Sequence, residues 1–394
     1  MRSYLSERIR SIPPSGLLKF FDILATMEDV LSLGIGEPDL PTPQAICEAG
    51  IASIRRGETG YTSNAGKLEL RRRIAAYLGG RYGVEYDPET EVLVTVGVSE
   101  ALHAALLALV DAGDAVLIPE PCFVAYDPCV RFAHGRPVPV PTRAEEAFQV
   151  QVDKLAEAMD GRVKALLLSY PNNPTGAVME RAQLEEVARF AAKHDLIVIS
   201  DEIYERFVYG LEHTCFASLP EMRERTVLLG GFSKSHAMTG WRIGYACGPR
   251  EIIQAMHKVH QYIIMSAPTM AQNGILGALA GDEDHAQGIV QEFARRREVT
   301  VAALRRIGLA CVEPRGAIYA FPSIAETGLS SLEFSERLLR EEKVAVVPGS
   351  AFGASGEGFV RIAYTVPIPL LEEALGRLER FVGRLRQGRP NGIS

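Results

Sequence analysis

Short apolar runs alternate with segments of helical periodicity along most of the chain. The runs are "EVLVTV" (91–96), 115–118, "KALLLS" (164–169), "LIVIS" (196–200) and "TVLLG" (226–230). Segments 43–56, 67–82, one opening near Ser99, 123–134 and 181–193 read as helices. Continuous apolar strands separated by helices predict a parallel sheet covered on both faces. One element breaks the rule. Only about ten residues separate "TVLLG" from "WRIGYACG" (241–248), too few for a helical crossover. Segment 241–248 is therefore expected to run antiparallel in an otherwise parallel sheet. Helices follow over 250–264, 268–280 and 285–306. The remainder (309–321, 331–341, 344–347, 359–364, 369–386) mixes short strands and helices. The expectation is an α/β fold: a large domain over 45–285, and a smaller α+β domain built from 286–394 and the N-terminal segment 1–44.

Composition narrows the function classes. The chain has 394 residues, 47% hydrophobic and 23% charged, enough for a large core. A net charge of −7 and no block of five Lys/Arg argue against a nucleic-acid binder. The six cysteines form no CxxC pair and sit in apolar segments, as buried thiols of a reducing compartment do. The eight histidines include no HxxxH pair, so no metal site is expected. No apolar run reaches membrane-spanning length, and "MRSYLSERIRSIPPSG" lacks a signal core, so a cytoplasmic location is expected.

Four polar signals fall at the carboxyl ends of predicted strands, where open α/β sheets bind ligands. Gly97, Val98 and Ser99 form a strand-to-helix turn whose free N–H groups suit a phosphate, unless Ser99 simply caps the helix. Asn173 lies in "PNNPTG", either turn chemistry or a donor facing a site. Asp201 ends an apolar run, where a carboxylate needs a partner, a cap or a salt bridge; Tyr204 follows three residues on. Lys234 sits between Ser233 and Ser235, with Arg242 inside "GWRIGY". Taken together they describe an anion-holding end, a buried carboxylate, two hydroxyl or amide donors and an amine. Pyridoxal 5'-phosphate, an aromatic phosphate with a ring nitrogen and an aldehyde, would satisfy all of them. His236 reads as a loop-packing residue.

Eight ordered motifs carry a family resemblance: "LGIGEPDLPTP" (33–43), "GYTSNAGKLELR" (60–71), "VTVGVSEAL" (94–102), "EPCFVAYDP" (120–128), "YPNNPTG" (170–176), "SDEIYE" (200–205), "GFSKSHAMTGWRIGY" (231–245) and "FVRIAY" (359–364). The chain resembles the class I/II aminotransferases, pyridoxal-phosphate enzymes of fold type I, over nearly its whole length. The resemblance implies a transfer of the amino group of an L-amino acid to a 2-oxo acid, 2-oxoglutarate foremost. It makes Lys234 the Schiff-base lysine and pairs Asp201 with the ring nitrogen. Asn173 and Tyr204 would bond the ring hydroxyl. Ser233, Arg242 and the Val98–Ser99 backbone would hold the phosphate. Tyr61 would reach that phosphate from the partner subunit of a homodimer, and Phe123 would stack on the ring. Arg361, beside the Gly36 backbone, would clamp the substrate α-carboxylate.

Two departures stand out. Aspartate-specific relatives hold a lysine where this chain has Ser99, which argues against strict aspartate preference. The stacking position often holds Trp or Tyr, and Phe123 keeps the ring face without a hydroxyl. An aspartate or broad donor range is expected. The same fold hosts carbon–sulfur lyases, which stay an alternative. Non-enzymatic regulators of this fold carry an upstream DNA-binding segment, and because the sequence begins so close to the expected catalytic domain, a regulator is not the expectation. A nicotinamide dehydrogenase is disfavoured because no GxGxxG follows a strand. In "SIPPSGLLKFFDIL", Leu17, Leu18 and Phe20 could close over substrate behind the stiff Pro13–Pro14 pair, although plain packing is the expectation.

Overall fold

The computed structural model describes residues 4–12, 27–279 and 284–387. The segment read as a flap or packing element, Pro13 to Phe20, lies outside them. Strand β1 (Leu31–Ser32) precedes the strands of a seven-stranded sheet. These are β2 (Val92–Thr95), β3 (Ala115–Glu120), β4 (Arg136–Pro141), β5 (Val163–Leu168), β6 (Ile197–Asp201), β7 (Thr226–Gly231) and β8 (Gly244–Cys247). The spatial order is β2-β8-β7-β6-β5-β3-β4. Only β8 runs antiparallel, between β2 and β7. The expected antiparallel strand over 241–248 is thus found, but shortened to its second half. Arg242 adopts a left-handed backbone (φ 54°), and residues 239–241 form a tight helical turn instead.

Strand β4 has no counterpart in the expected elements. Its sequence, "RPVPVP", places a proline at every second position, which hides it from strand propensity. The alternation resolves the conflict. Arg136 N–H donates to Asp114 O and Thr142 N–H to Glu120 O, both toward the β3 side. Pro137, Pro139 and Pro141 therefore direct their missing donors outward from the edge, where no ladder is lost.

The interior strands are buried along almost their whole length, as the continuous apolar runs require. Helices Gly97–Leu109 and Arg250–Ile263 cover one face, around Leu93, Ile118, Leu167, Ile199 and Leu229. A separate apolar cluster joins Leu33 to Phe293, Phe334, Ile362 and Phe381, and reaches back to Tyr204 and Phe207. Around it lie β9 (Tyr319–Ala320), β10 (Val344–Ala345), β11 (Val347–Pro348), β12 (Val360–Ala363) and helices Gln287–Ile307, Ser331–Glu342 and Ile368–Gln387. The order β11-β12-β9 is antiparallel, while β1 pairs in parallel with β10. Among the described residues, no helix is long and apolar enough to cross a membrane, and all six cysteines are unpaired.

Candidate active site

The carboxyl ends of β2, β5, β6 and β7 open into one cavity of about 360 Å³. Its wall includes Gly36, Val98, Ser99, Phe123, Asn173, Asp201, Tyr204, Ser233, Lys234, Arg242 and Arg361. These are all the site residues expected from sequence except Tyr61. That residue is 84% exposed and is not part of the cavity wall. His236 is also outside the wall. It packs on Phe232, its Nδ1 lies 2.9 Å from Ser235 Oγ, and burial pushes its pKa down to about 4.

One end of the cavity is built for an anion. Helix Gly97–Leu109 starts directly after β2, and its N-cap, Val96, makes no side-chain cap. Ser99 therefore does not cap the helix. Glu100 Oε2 accepts from Val96 N–H (2.6 Å), and the first-turn N–H groups beyond it have no intrahelical acceptor. Arg242 leans over this terminus while donating to Thr239 O (2.9 Å). A Cβ at Gly97 would lie 2.8 Å from Arg242 Nη2, and Gly97 has φ +73°, so both space and backbone demand glycine. Ser233 is buried and lines the same cavity.

The carboxylate sits at the centre. Asp201 is 6% exposed, accepts from Tyr126 Oη (2.8 Å) and from Ile203 N–H (3.2 Å), and has no cationic partner within salt-bridge distance among the described residues. Burial pushes its pKa up to about 6, against the Tyr126 hydrogen bond that lowers it. Burial likewise raises the Tyr204 hydroxyl far above its ordinary value. Lys234 Nζ donates to Gly36 O (2.7 Å), and both residues line the cavity.

The adjacent asparagines divide the work of their loop. Asn172 Oδ1 accepts from Thr175 N–H (3.1 Å) and Thr175 Oγ1 (2.7 Å), and so makes the turn. That leaves the Asn173 amide for the cavity, where its Oδ1 accepts from Arg361 Nη1 (3.0 Å). Arg361 Nη2 donates to Gly34 O (2.6 Å), while its buried Nε has no partner. No carboxylate among the described residues pairs with this 6% exposed guanidinium, and burial lowers its pKa. A buried cation without an anion is costly, and the cavity beside it can admit one.

A strap, residues 33–37, closes this side. Leu33 joins β10 and β12 through Ala345 O (2.8 Å) and Ala363 N–H (2.8 Å). Thr365 Oγ1 donates to Ile35 O (2.7 Å). Farther along, buried Arg296 grips Asp39 through both Nη atoms (2.6 and 3.2 Å) and holds Glu292 Oε1 through Nε (2.9 Å). Gly36 lies against Tyr319, so a Cβ there would sit 2.1 Å from its hydroxyl. Gly36→Ala is expected to cost about 1–3 kcal/mol, as overpacking does, seen as a lower melting temperature together with reduced activity.

Sequence reasoning did not single out Tyr126, Tyr319, Glu37, Thr239 or Ser169, which also line the cavity. Tyr126 lies within the quoted motif "EPCFVAYDP", and its spacing of three from Phe123 was the available signal. Tyr319 gave none, since an aromatic in "GAIYAF" reads as core.

The geometry agrees with the relationships of the sequence. The family "Aminotransferase class I and II" matches residues 28–378. An aspartate aminotransferase of Pyrococcus abyssi is 46% identical over 381 residues, covering 96% of this chain and 98% of that one. The aromatic-amino-acid aminotransferase 2 of Thermococcus litoralis is 43% identical over 382 residues, with 96% and 98% covered. The solved structure of Pyrococcus protein A1 superposes with a TM-score of 0.94 at 45% identity, covering 96% of this chain and 99% of that one. With most of its length matched by the family and near-whole-length relatives at 43–46% identity, this chain belongs to the class I and II aminotransferases and is itself an aminotransferase.

Proposed function

We propose that the cavity holds pyridoxal 5'-phosphate and that the enzyme moves the amino group of an L-amino acid to a 2-oxo acid, with 2-oxoglutarate as acceptor. The observation that carries this is the unpaired, buried Arg361 facing the same cavity as Lys234 and Asp201. The donor set fits the group: an anion end at Val98, Ser99, Ser233 and Arg242, and a lone buried carboxylate for a protonated ring nitrogen. Asn173 and Tyr204 supply donors for a ring hydroxyl, and Phe123 offers an aromatic face. When bound, pyridoxal phosphate supplies an electron sink for the charge left at the substrate Cα.

The protein's part is holding and proton transfer. Arg361 orients the α-carboxylate, with the Gly36 backbone beside it. Lys234 would be the attachment point for the cofactor and the base that moves the proton at the substrate Cα. Asp201 would keep a proton on the ring nitrogen by its negative charge. Tyr204 and Asn173 would orient the ring, and the helix terminus with Arg242 and Ser233 would anchor the phosphate.

The donor is proposed to be aspartate or a broader range. Relatives named for aspartate and for aromatic amino acids are similarly close. Among the described residues, the only cations in the cavity wall are Lys234, Arg242 and Arg361, and Ser99 adds none. We place the cofactor in a domain spanning 45–285, with 1–44 and 286–394 forming the smaller one, in a cytoplasmic homodimer to which each copy contributes Tyr61. The 84% exposure of that ring supports the last assignment.

The test is a panel of amino donors with 2-oxoglutarate, followed by the absorbance of the bound cofactor. Glutamate should form in proportion to 2-oxo acid released. Continuous release of pyruvate from cysteine or cystathionine without any oxo acid would instead establish a lyase. Arg361→Lys should raise KM for both substrates about 10- to 100-fold, because an ammonium cannot reproduce the two parallel N–H contacts and charged hydrogen bonds are worth ~1.5–3 kcal/mol. Steady-state kinetics on each substrate checks it.

A further inference from the structure

Tyr319 touches several of the groups on which the site depends. It lies on β9, paired with β12, the strand that carries Arg361. The ring is 1% exposed, and the Arg361 guanidinium carbon stands 4.5 Å from its centroid. Its hydroxyl lies 2.7 Å from the Tyr204 hydroxyl and 3.5 Å from Gly36 O. That same carbonyl accepts from Lys234 Nζ.

Each phenol has a single hydrogen to give. If Tyr204 donates into the cavity, its own oxygen must be the acceptor in the contact with Tyr319, so Tyr319 must be the donor. The alternative acceptor, Gly36 O, is at the limit of hydrogen-bonding distance, 0.8 Å farther than the Tyr204 hydroxyl (3.5 against 2.7 Å). The direction of the bond between the two tyrosines is therefore settled by what Tyr204 does. Among the described residues, the charged groups lining the cavity that the pair borders are Asp201, Lys234 and Arg361, with Glu37 and Arg242.

We propose that Tyr319 is a positioning residue: its hydroxyl donates to Tyr204 and turns the Tyr204 hydrogen toward the cofactor, while its ring supports the Arg361 guanidinium. One side chain thereby ties the carboxylate clamp to the ring-hydroxyl donor. The inference rests on the cofactor assignment proposed above.

The two functions separate by substitution. Tyr319→Phe removes the hydroxyl and keeps the ring against Arg361. Tyr319→Leu removes both. In the holoenzyme, Tyr319→Phe should lower kcat about tenfold, the scale of one hydrogen bond, and leave KM for the amino donor within about twofold. A donor directed at the ring hydroxyl stabilises its negative charge. The pH titration of the bound cofactor's absorbance should therefore move upward by about half a pH unit or more. Tyr204→Phe should move it the same way, and the double variant should add little to Tyr204→Phe alone. Tyr319→Leu should in addition raise KM. A Tyr319→Phe enzyme that titrates and turns over like wild type, or a double variant whose losses multiply, would overturn the proposal. If Tyr319→Leu does not fold, the two phenylalanine variants still decide. Wild-type protein that acquires no visible absorbance on adding pyridoxal phosphate would instead refute the underlying cofactor assignment.

Discussion

Replacing Lys234 with alanine is expected to reduce turnover by at least about four orders of magnitude. Among the described residues, Lys234 is the only lysine in the cavity wall. Its loss removes both the attachment point and the proton-transfer group, and the latter alone is typically worth on the order of 10²–10⁴ in rate. The anion end and Arg361 are untouched, so binding of cofactor and substrate should survive. Lys234→Arg is the sharper control. It keeps a cation at the position, but a guanidinium does not give up its proton in a protein. Both variants should therefore be inactive, and borohydride reduction should attach the cofactor to wild-type protein alone, as read by mass spectrometry of the peptide containing residue 234. Retention of a few per cent of wild-type turnover by Lys234→Ala would refute the assignment.

Asp201→Asn is expected to lower kcat by about 10²–10³, the scale seen when a preorganised electrostatic partner is removed. The asparagine keeps the shape and can still accept from Tyr126, so what is lost is the negative charge beside the ring nitrogen. A stability signature accompanies it in the cofactor-free protein. The carboxyl pKa is raised from 3.8 to about 6 by burial, so the folded state holds the proton more tightly than the unfolded chain does. The stabilisation this brings is complete below about pH 4 and is lost as pH rises through about 6. Near neutral pH the ionised Asp201 then burdens the cofactor-free fold by ~3 kcal/mol, because each tenfold gain in proton affinity corresponds to about 1.4 kcal/mol. Denaturant titrations should show wild-type stability falling between about pH 4 and 6 relative to Asp201→Asn. Parallel curves would mean that the carboxylate is already compensated. A cationic ring nitrogen bound beside it should remove the difference.

Much of this site was legible because the chemistry falls where a parallel sheet concentrates it. Fully buried strands leave continuous apolar runs, and a polar residue closing such a run, as Asp201 closes "LIVIS", has few structural excuses. What was illegible depends on distance or on geometry. Tyr319 and Tyr204 meet across 115 positions, and no local pattern distinguishes an aromatic that lines a cavity from one that fills a core. The resemblance picked Asn173 out of "PNNPTG", but the local pattern gave no physical reason to prefer it to its neighbour; that reason is the turn made by Asn172. The small strands fared worst. Two-residue pairs such as β1 with β10 carry no periodicity, and β4 is disguised by prolines that only its place at the margin makes tolerable.

That margin also governs how copies of the chain can meet. A free sheet border invites another chain to add a strand and seed aggregates. Here three prolines withhold the donors on one side. On the other, the amide of Val94 is engaged by Ala65 O (3.0 Å). Growth by backbone pairing is thereby hindered at both borders of this sheet, which favours side-chain surfaces for any contact between copies, and such surfaces can specify a particular mate and a finite complex.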